Sequence, residues 1–130
     1  MSEFQLKSGD LVTAAYKSGE YVGELVELYP PRVAVVKILA VLVHPTQGDL
    51  HHPFAANVPL FHQRRALAYG EKASAPLASV RPYDGEVPEY KASLKKALEE
   101  QISKLREDTS EWAQRSLVQL KELQKEYFAE

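Results

Sequence analysis

Proline and glycine punctuate the first two-thirds of this chain and then stop. The last glycine is Gly85 and the last proline is Pro88; residues 89–130 contain neither. Turns that need positive φ or a fixed φ therefore belong to the first part, and uninterrupted helix to the second. This break predicts two units: a β-barrel domain over residues 1–86, and a helical hairpin over residues 87–130 that packs on the barrel or extends from it.

The first part reads as β. Residues 10–16 make a short strand candidate, and Lys17-Ser18-Gly19-Glu20 a turn in which Gly19 supplies the positive φ. Residues 21–29 return, with Glu24, Val26 and Leu28 alternating against Leu25, Glu27 and Tyr29. Pro30-Pro31 breaks the chain. Residues 32–44 are nearly all apolar and rich in β-branched side chains, among them Val33, Val35, Val36, Ile38 and Val41. That is the pattern of a strand covered on both faces. Further short strands are predicted at residues 58–62, 65–69 and 79–81. Short strands at close spacing imply a small antiparallel SH3-like β-barrel or curled sheet, and with the helices an α+β class.

The second part reads as two helices. Pro88 suits a first helical turn, where its missing N–H costs nothing. Tyr90, Leu94, Leu98, Ile102 and Leu105 make one apolar stripe. It stops at residues 108–111, where Asp108 or Thr109 is placed to cap a new helix and Asp108 with Glu111 has capping-box spacing. Trp112, Leu117, Leu120, Leu123 and Tyr127 or Phe128 make the second stripe. So short a connection implies an antiparallel hairpin. Helices of ~28–30 Å would reach past a barrel of ~25 Å and offer a surface of their own.

A chain of 130 residues with 45% hydrophobic and 26% charged content folds without metal or disulfide. There is no cysteine, which excludes disulfides, thiol catalysis, Cys-based zinc sites and lipid attachment through cysteine. A net charge of −2 argues against strong non-specific attraction to nucleic acid or anionic lipid. Residues 1–7 are too polar for a signal peptide, and the longest apolar run, residues 38–43, is far short of the ~20 that span a bilayer. A cytoplasmic location without direct membrane insertion is expected.

All four histidines, His44, His51, His52 and His62, fall in one stretch. Gln47 and the pair Arg64-Arg65 lie with them, and Asp49 is the one acidic residue between Ile38 and Gly70. Side-chain proton chemistry near neutral pH is concentrated there. The residue types suit zinc, but the spacing does not. His51 and His52 are neighbours that point apart in an extended chain, and no histidine pair has helical spacing. No ordering of serine, histidine and aspartate marks a general base. Gly9, Gly19 and Gly23 are isolated, so no phosphate-cradling loop is read. The helical carboxylates are interleaved with lysine, as on a solvated face. No catalytic residue, metal or cofactor is predicted.

Two uses of this region remain beside a simple turn set by Pro45, Gly48 and Pro53. One is partner contact, with His44, Gln47, Asp49, His51, His52, His62, Arg64, Arg65 and Trp112 as the candidate residues. Trp112 alternatively packs the hairpin onto the barrel. The other is nucleic-acid binding by a small barrel, with Arg32, Arg64, Arg65 and Arg81 beside Tyr16, Tyr21, Tyr29, Tyr69 and Tyr83. The acidic net charge speaks against it, and tyrosine in short strands more often packs.

Several blocks carry a resemblance over essentially the whole chain. They are Gly9-Asp10-Leu11-Val12-Thr13, Tyr16-Lys17-Ser18-Gly19-Glu20-Tyr21, and His44-Pro45-Thr46-Gln47-Gly48-Asp49-Leu50-His51. Phe61-His62-Gln63-Arg64-Arg65, Tyr83-Asp84-Gly85-Glu86-Val87-Pro88 and Ser110-Glu111-Trp112-Ala113 complete the set. In this order and spacing they resemble the kinase-associated protein B (KapB) family of spore-forming Bacillus-type bacteria. The resemblance implies a barrel-like antiparallel sheet with an extending helical region. It also implies a non-enzymatic accessory factor that promotes a sensor histidine kinase feeding the sporulation phosphorelay. Such a partner would bring the protein to the inner face of the membrane. Self-association, as a homo-oligomer, is left open.

Overall fold

The structure is a computed structural model that describes residues 6–48, 55–56 and 61–128. Its first hairpin joins β1 (Leu11–Tyr16) to β2 (Gly19–Tyr29) through Lys17 and Ser18 alone, with Tyr16 opposite Gly19. A two-residue hairpin loop follows the strand twist when both residues take positive φ. Here Lys17 has φ 44° and Ser18 φ 71°. The expectation that Gly19 supplies the positive φ is therefore corrected: Gly19 already belongs to the strand. It is glycine for space, since a Cβ there would sit 2.6 Å from the Tyr21 hydroxyl.

β3 (Val33–Val43) returns along β2, and three irregularities in their register coil the long ribbon. β4 (Lys72–Pro76) pairs with β3 on one edge, and β5 (Arg81–Pro82) pairs with β1 on the other. The antiparallel order is β4-β3-β2-β1-β5. The two edge strands are consecutive in the chain, joined by one 3₁₀ turn, Leu77–Ser79. A flat sheet of five strands would set its edges ~19 Å apart, whereas the five residue steps from Pro76 to Arg81 reach at most ~17 Å when extended. The sheet must curl, and it does so without a ladder between β4 and β5. Of the two forms expected from sequence, the structure adopts the open curled sheet.

Val12, Ala14, Tyr21, Leu25, Ala34, Val36 and Ile38 fill the concave core. β3 was expected to be covered on both faces, and this holds only in part. Ala34, Val36, Ile38 and Ala40 are buried, while Val33, Val35, Lys37 and Leu39 are half-buried.

The strand expected at residues 65–69 is absent, and the edge strand lies further on as β4. The reason is that side chains satisfy this backbone. Ala66 N–H donates to the Tyr127 hydroxyl at 2.9 Å and Leu67 N–H to the Tyr21 hydroxyl at 3.2 Å. The Leu67 carbonyl accepts from the Tyr90 hydroxyl at 2.6 Å. Residues 79–81 are the end of the 3₁₀ turn and the start of β5, and residues 58–60 lie outside the described residues.

Two helices follow, α1 (Tyr90–Arg106) and α2 (Glu111–Tyr127), linked by residues 107–110. Each has 17 residues, about 25 Å at 1.5 Å per residue and so shorter than the expected 28–30 Å. Pro88 precedes the N-cap Glu89 rather than occupying the first turn. The second cap is Ser110, later in the chain than either expected residue, Asp108 or Thr109. Ser110 Oγ accepts from Ala113 N–H at 3.1 Å, while Asp108 accepts from Ser110 N–H at 2.9 Å. That bond holds the Asp108 carboxyl below its usual range.

α1 lends Leu94 and Ala97 to the sheet's core, and its Ser93 Oγ accepts from Val41 N–H at 2.9 Å. A second core joins Leu98, Ile102 and Leu105 to Trp112, Ala113, Leu120 and Leu123. Both apolar stripes therefore fall where the periodicity placed them.

Candidate functional site

Residues 44–48 and 61–67 lie between the curled sheet and α2. His44 ends the exposed run Leu42 and Val43 and is itself fully buried. Its Nδ1 lies 3.1 Å from the Pro45 carbonyl. A carbonyl only accepts, so Nδ1 carries the proton and Nε2 of the neutral ring must accept. The group 2.9 Å from Nε2 is the Tyr127 hydroxyl, which therefore donates. The Tyr127 ring meets the imidazole edge-on at 5.8 Å. Gln101 Nε2 donates to the His44 carbonyl at 3.0 Å. Burial pushes the His44 pKa below its ordinary value, against the opposing pull of the Pro45 carbonyl.

Gln47 acts as an extra strand partner. Its Nε2 donates to the Arg64 carbonyl at 2.9 Å and its Oε1 accepts from Arg64 N–H at 2.9 Å. The Gln47 carbonyl accepts from Trp112 Nε1 at 3.1 Å. Gly48, at φ 105°, donates to the His62 carbonyl at 3.0 Å, a backbone conformation that disfavours other residues. Trp112 is thus both a core side chain of the helices and a fastener of the loop.

The outer side of this segment is polar. His62 and Arg65 are exposed and Arg64 is half-buried. Arg65 pairs with Glu126, and its guanidinium lies 5.2 Å from the Tyr127 ring centroid. Gln63 Nε2 reaches Gln119 Oε1 at 3.1 Å and Glu122 at 3.2 Å. Beside these residues and the β1–β2 turn opens a cleft of about 310 Å³. A larger apolar groove of about 610 Å³ runs between Leu39, Tyr69 and Pro88.

The structure divides the predicted contact residues. His44, Gln47 and Trp112 are buried, and their polar atoms bond within the protein. As surface contacts these three are corrected: an enclosed polar group that kept no internal partner would be strongly disfavoured, so each is bonded inward. His62, Arg64 and Arg65 come together on the outside. Asp49, His51 and His52 lie outside the described residues. Among the described residues, no group of three histidine, aspartate or glutamate side chains could hold a metal ion.

Sequence reasoning missed Tyr127, Gln101, Tyr21 and Tyr90 as polar partners of this segment. For Tyr127 a signal existed. A tyrosine on an apolar helical stripe brings a hydroxyl that needs a partner when buried.

These features define a small α+β protein in which a loop, bonded largely through side chains, fastens a curled sheet to a helical hairpin. The chain belongs to the kinase-associated protein B family, whose family model, described as Kinase associated protein B, matches residues 16–128. It is 53% identical over 128 residues to the kinase-associated lipoprotein B of Bacillus subtilis (strain 168), spanning 98% of each chain. It is also similar to the X-ray crystal structure of kinase-associated protein B from Bacillus cereus. That likeness has a TM-score of 0.80 at 41% identity and covers 95% of this chain and 98% of the other. Among the described residues, no helix is long and apolar enough to cross a membrane.

Proposed function

We propose that this protein is a non-enzymatic regulatory partner of a sensor histidine kinase and promotes the kinase's autophosphorylation in the phosphorelay that leads to sporulation. One observation carries the reading: the near full-length likeness, at 53% identity, to a protein named for kinase association. The mechanism is differential binding. A partner that prefers the kinase's active arrangement shifts the population toward it. A tenfold rise in rate needs about 1.4 kcal/mol of such preference.

The contact surface consists of the outward faces of α1 and α2 together with the exposed His62 and Arg65 and the neighbouring Arg64. A loop already bonded on its inner side supports this reading, since a preorganised face loses little conformational freedom on docking. The protein works in the cytoplasm and is held at the inner membrane face by its kinase.

Autophosphorylation of a purified, membrane-reconstituted sporulation sensor kinase tests the proposal. The rate should rise with added protein and saturate. An unchanged rate, together with no binding at micromolar concentration, removes the reading.

A further inference from the structure

The cleft beside the first hairpin has a composition that the partner reading does not explain. Its lip is the β1–β2 turn, where Lys17 and Ser18 hold positive φ without glycine. Left-handed backbone costs such residues roughly 1 kcal/mol each, a cost that the match of the two-residue loop to the strand twist offsets. The turn does not stand alone. Ser18 Oγ accepts from Thr46 N–H at 2.9 Å, which ties the turn to the loop after β3. That tie sets Lys17 on the wall of the cleft it shares with Arg64 and Arg65.

The polar groups of the cleft are preset as donors. Arg64 Nε–H donates to the Gly48 carbonyl at 3.2 Å, which fixes the guanidinium and leaves its terminal N–H groups for another acceptor. The hydroxyl of buried Tyr21 accepts from Leu67 N–H, so its own proton remains to be given. Tyr16 supplies a flat apolar wall, with the Lys17 ammonium 5.4 Å from its ring centroid.

The charges do not cancel. Lys17, Arg64 and Arg65 line the cleft, and among the described residues no carboxylate does. Glu126 pairs with Arg65. Among the described residues Lys17 and Arg64 have no carboxylate partner, on a protein whose net charge is −2. Two cations, one with a planar fork, match a dianion with several acceptor oxygens better than a single carboxylate. A volume of about 310 Å³ suits a small molecule.

We propose that this cleft binds a small phosphate monoester, its phosphate between Lys17 and Arg64 and its organic part against Tyr16. The cleft shares Arg64 and Arg65 with the proposed contact surface, but the proposal does not rest on the kinase reading and is tested without a kinase.

The test is an amide NMR titration of the full chain with phenyl phosphate, and with benzoate as the singly charged match. Phenyl phosphate should shift residues 16–18 and 63–67 saturably, with a Kd of roughly 1 mM that weakens as salt rises. Benzoate should bind about fivefold more weakly. Lys17→Gln, on an exposed turn, should lower the phosphate affinity about fivefold with an unchanged melting temperature. Arg64→Lys keeps the charge, loses the fork and should also weaken binding. If that variant does not fold, Lys17→Gln decides alone. The proposal is overturned by shifts that do not saturate, by benzoate binding as tightly as phenyl phosphate, or by Lys17→Gln leaving the affinity unchanged. A phosphotyrosyl peptide that binds more tightly than phenyl phosphate would overturn the small-molecule assignment.

Discussion

The Tyr127 hydroxyl donates to Nε2 of His44 at 2.9 Å, joining residues 83 positions apart in the sequence. The same oxygen accepts from Ala66 N–H at 2.9 Å. One phenol thus binds the last turn of α2 to the end of β3 and to the irregular segment beyond it.

Tyr127→Phe keeps the ring and deletes both bonds. It leaves His44 Nε2 and Ala66 N–H without that partner, a loss of about 2 kcal/mol. Urea unfolding should show a lower midpoint with an unchanged slope. A midpoint equal to that of the parent would mean that the hydroxyl contributes nothing.

Acid should destabilise the fold through His44. Its folded pKa is depressed below 6.5 by burial, so the unfolded chain binds its proton first. The stability from the neutral ring is fully present above 6.5 and is lost as pH falls through that value toward the folded pKa. Urea midpoints measured from neutral pH downward should fall accordingly, and His44→Gln, which takes up no proton, should flatten the slope.

Alkali acts through Tyr21 and Tyr90. Both phenols are pushed up from 10.0 to about 12, chiefly by burial. Raised folded values keep their contribution intact below 10, and it declines as pH climbs from there toward 12. The two rings meet at Leu67, one taking its N–H and the other giving to its carbonyl. Burial raises the Tyr127 phenol as well, so spectrophotometric titration should show a late-ionising group of tyrosines, and Tyr90→Phe should remove one of its members.

Two glycines separate crowding from conformation. A Cβ at Gly23 would lie 2.3 Å from Val36 Cγ1 and 2.7 Å from the Lys37 carbonyl oxygen. Since that oxygen is backbone, Gly23→Ala should cost about 3 kcal/mol through overpacking. Gly70 has open space around it but a φ of +81°, so Gly70→Ala should cost only about 1 kcal/mol. Thermal unfolding of the two variants orders them.

Capping of α2 gives a sharper contrast. Ser110→Ala should cost about 1 kcal/mol. Thr109→Ala, one residue earlier, should cost nearly nothing. Equal losses would mean that the Ser110 Oγ bond to Ala113 is not the cap.

β1, β2 and β3 and both helices were legible because each carries its own period and is bounded by turn residues. β4 was not. Lys72-Ala73-Ser74-Ala75-Pro76 has no β-branched residue and sits on an edge, where one ladder is enough. Residues 65–69 misled in the opposite sense, because a short apolar run between Arg65 and Tyr69 looks like a strand while their backbone bonds run to tyrosines on β2, α1 and α2. At the site, clustering of the histidines was visible in one dimension, but the burial of His44 was not. It depends on Tyr127 and Gln101, which no local window contains.

Trp112 is the chain's one tryptophan, and its indole N–H rests on the Gln47 carbonyl. The protein therefore carries its own optical probe at the joint between loop and hairpin. A shift in its emission, with no label added, would report whether any binding event loosens that joint or leaves it closed.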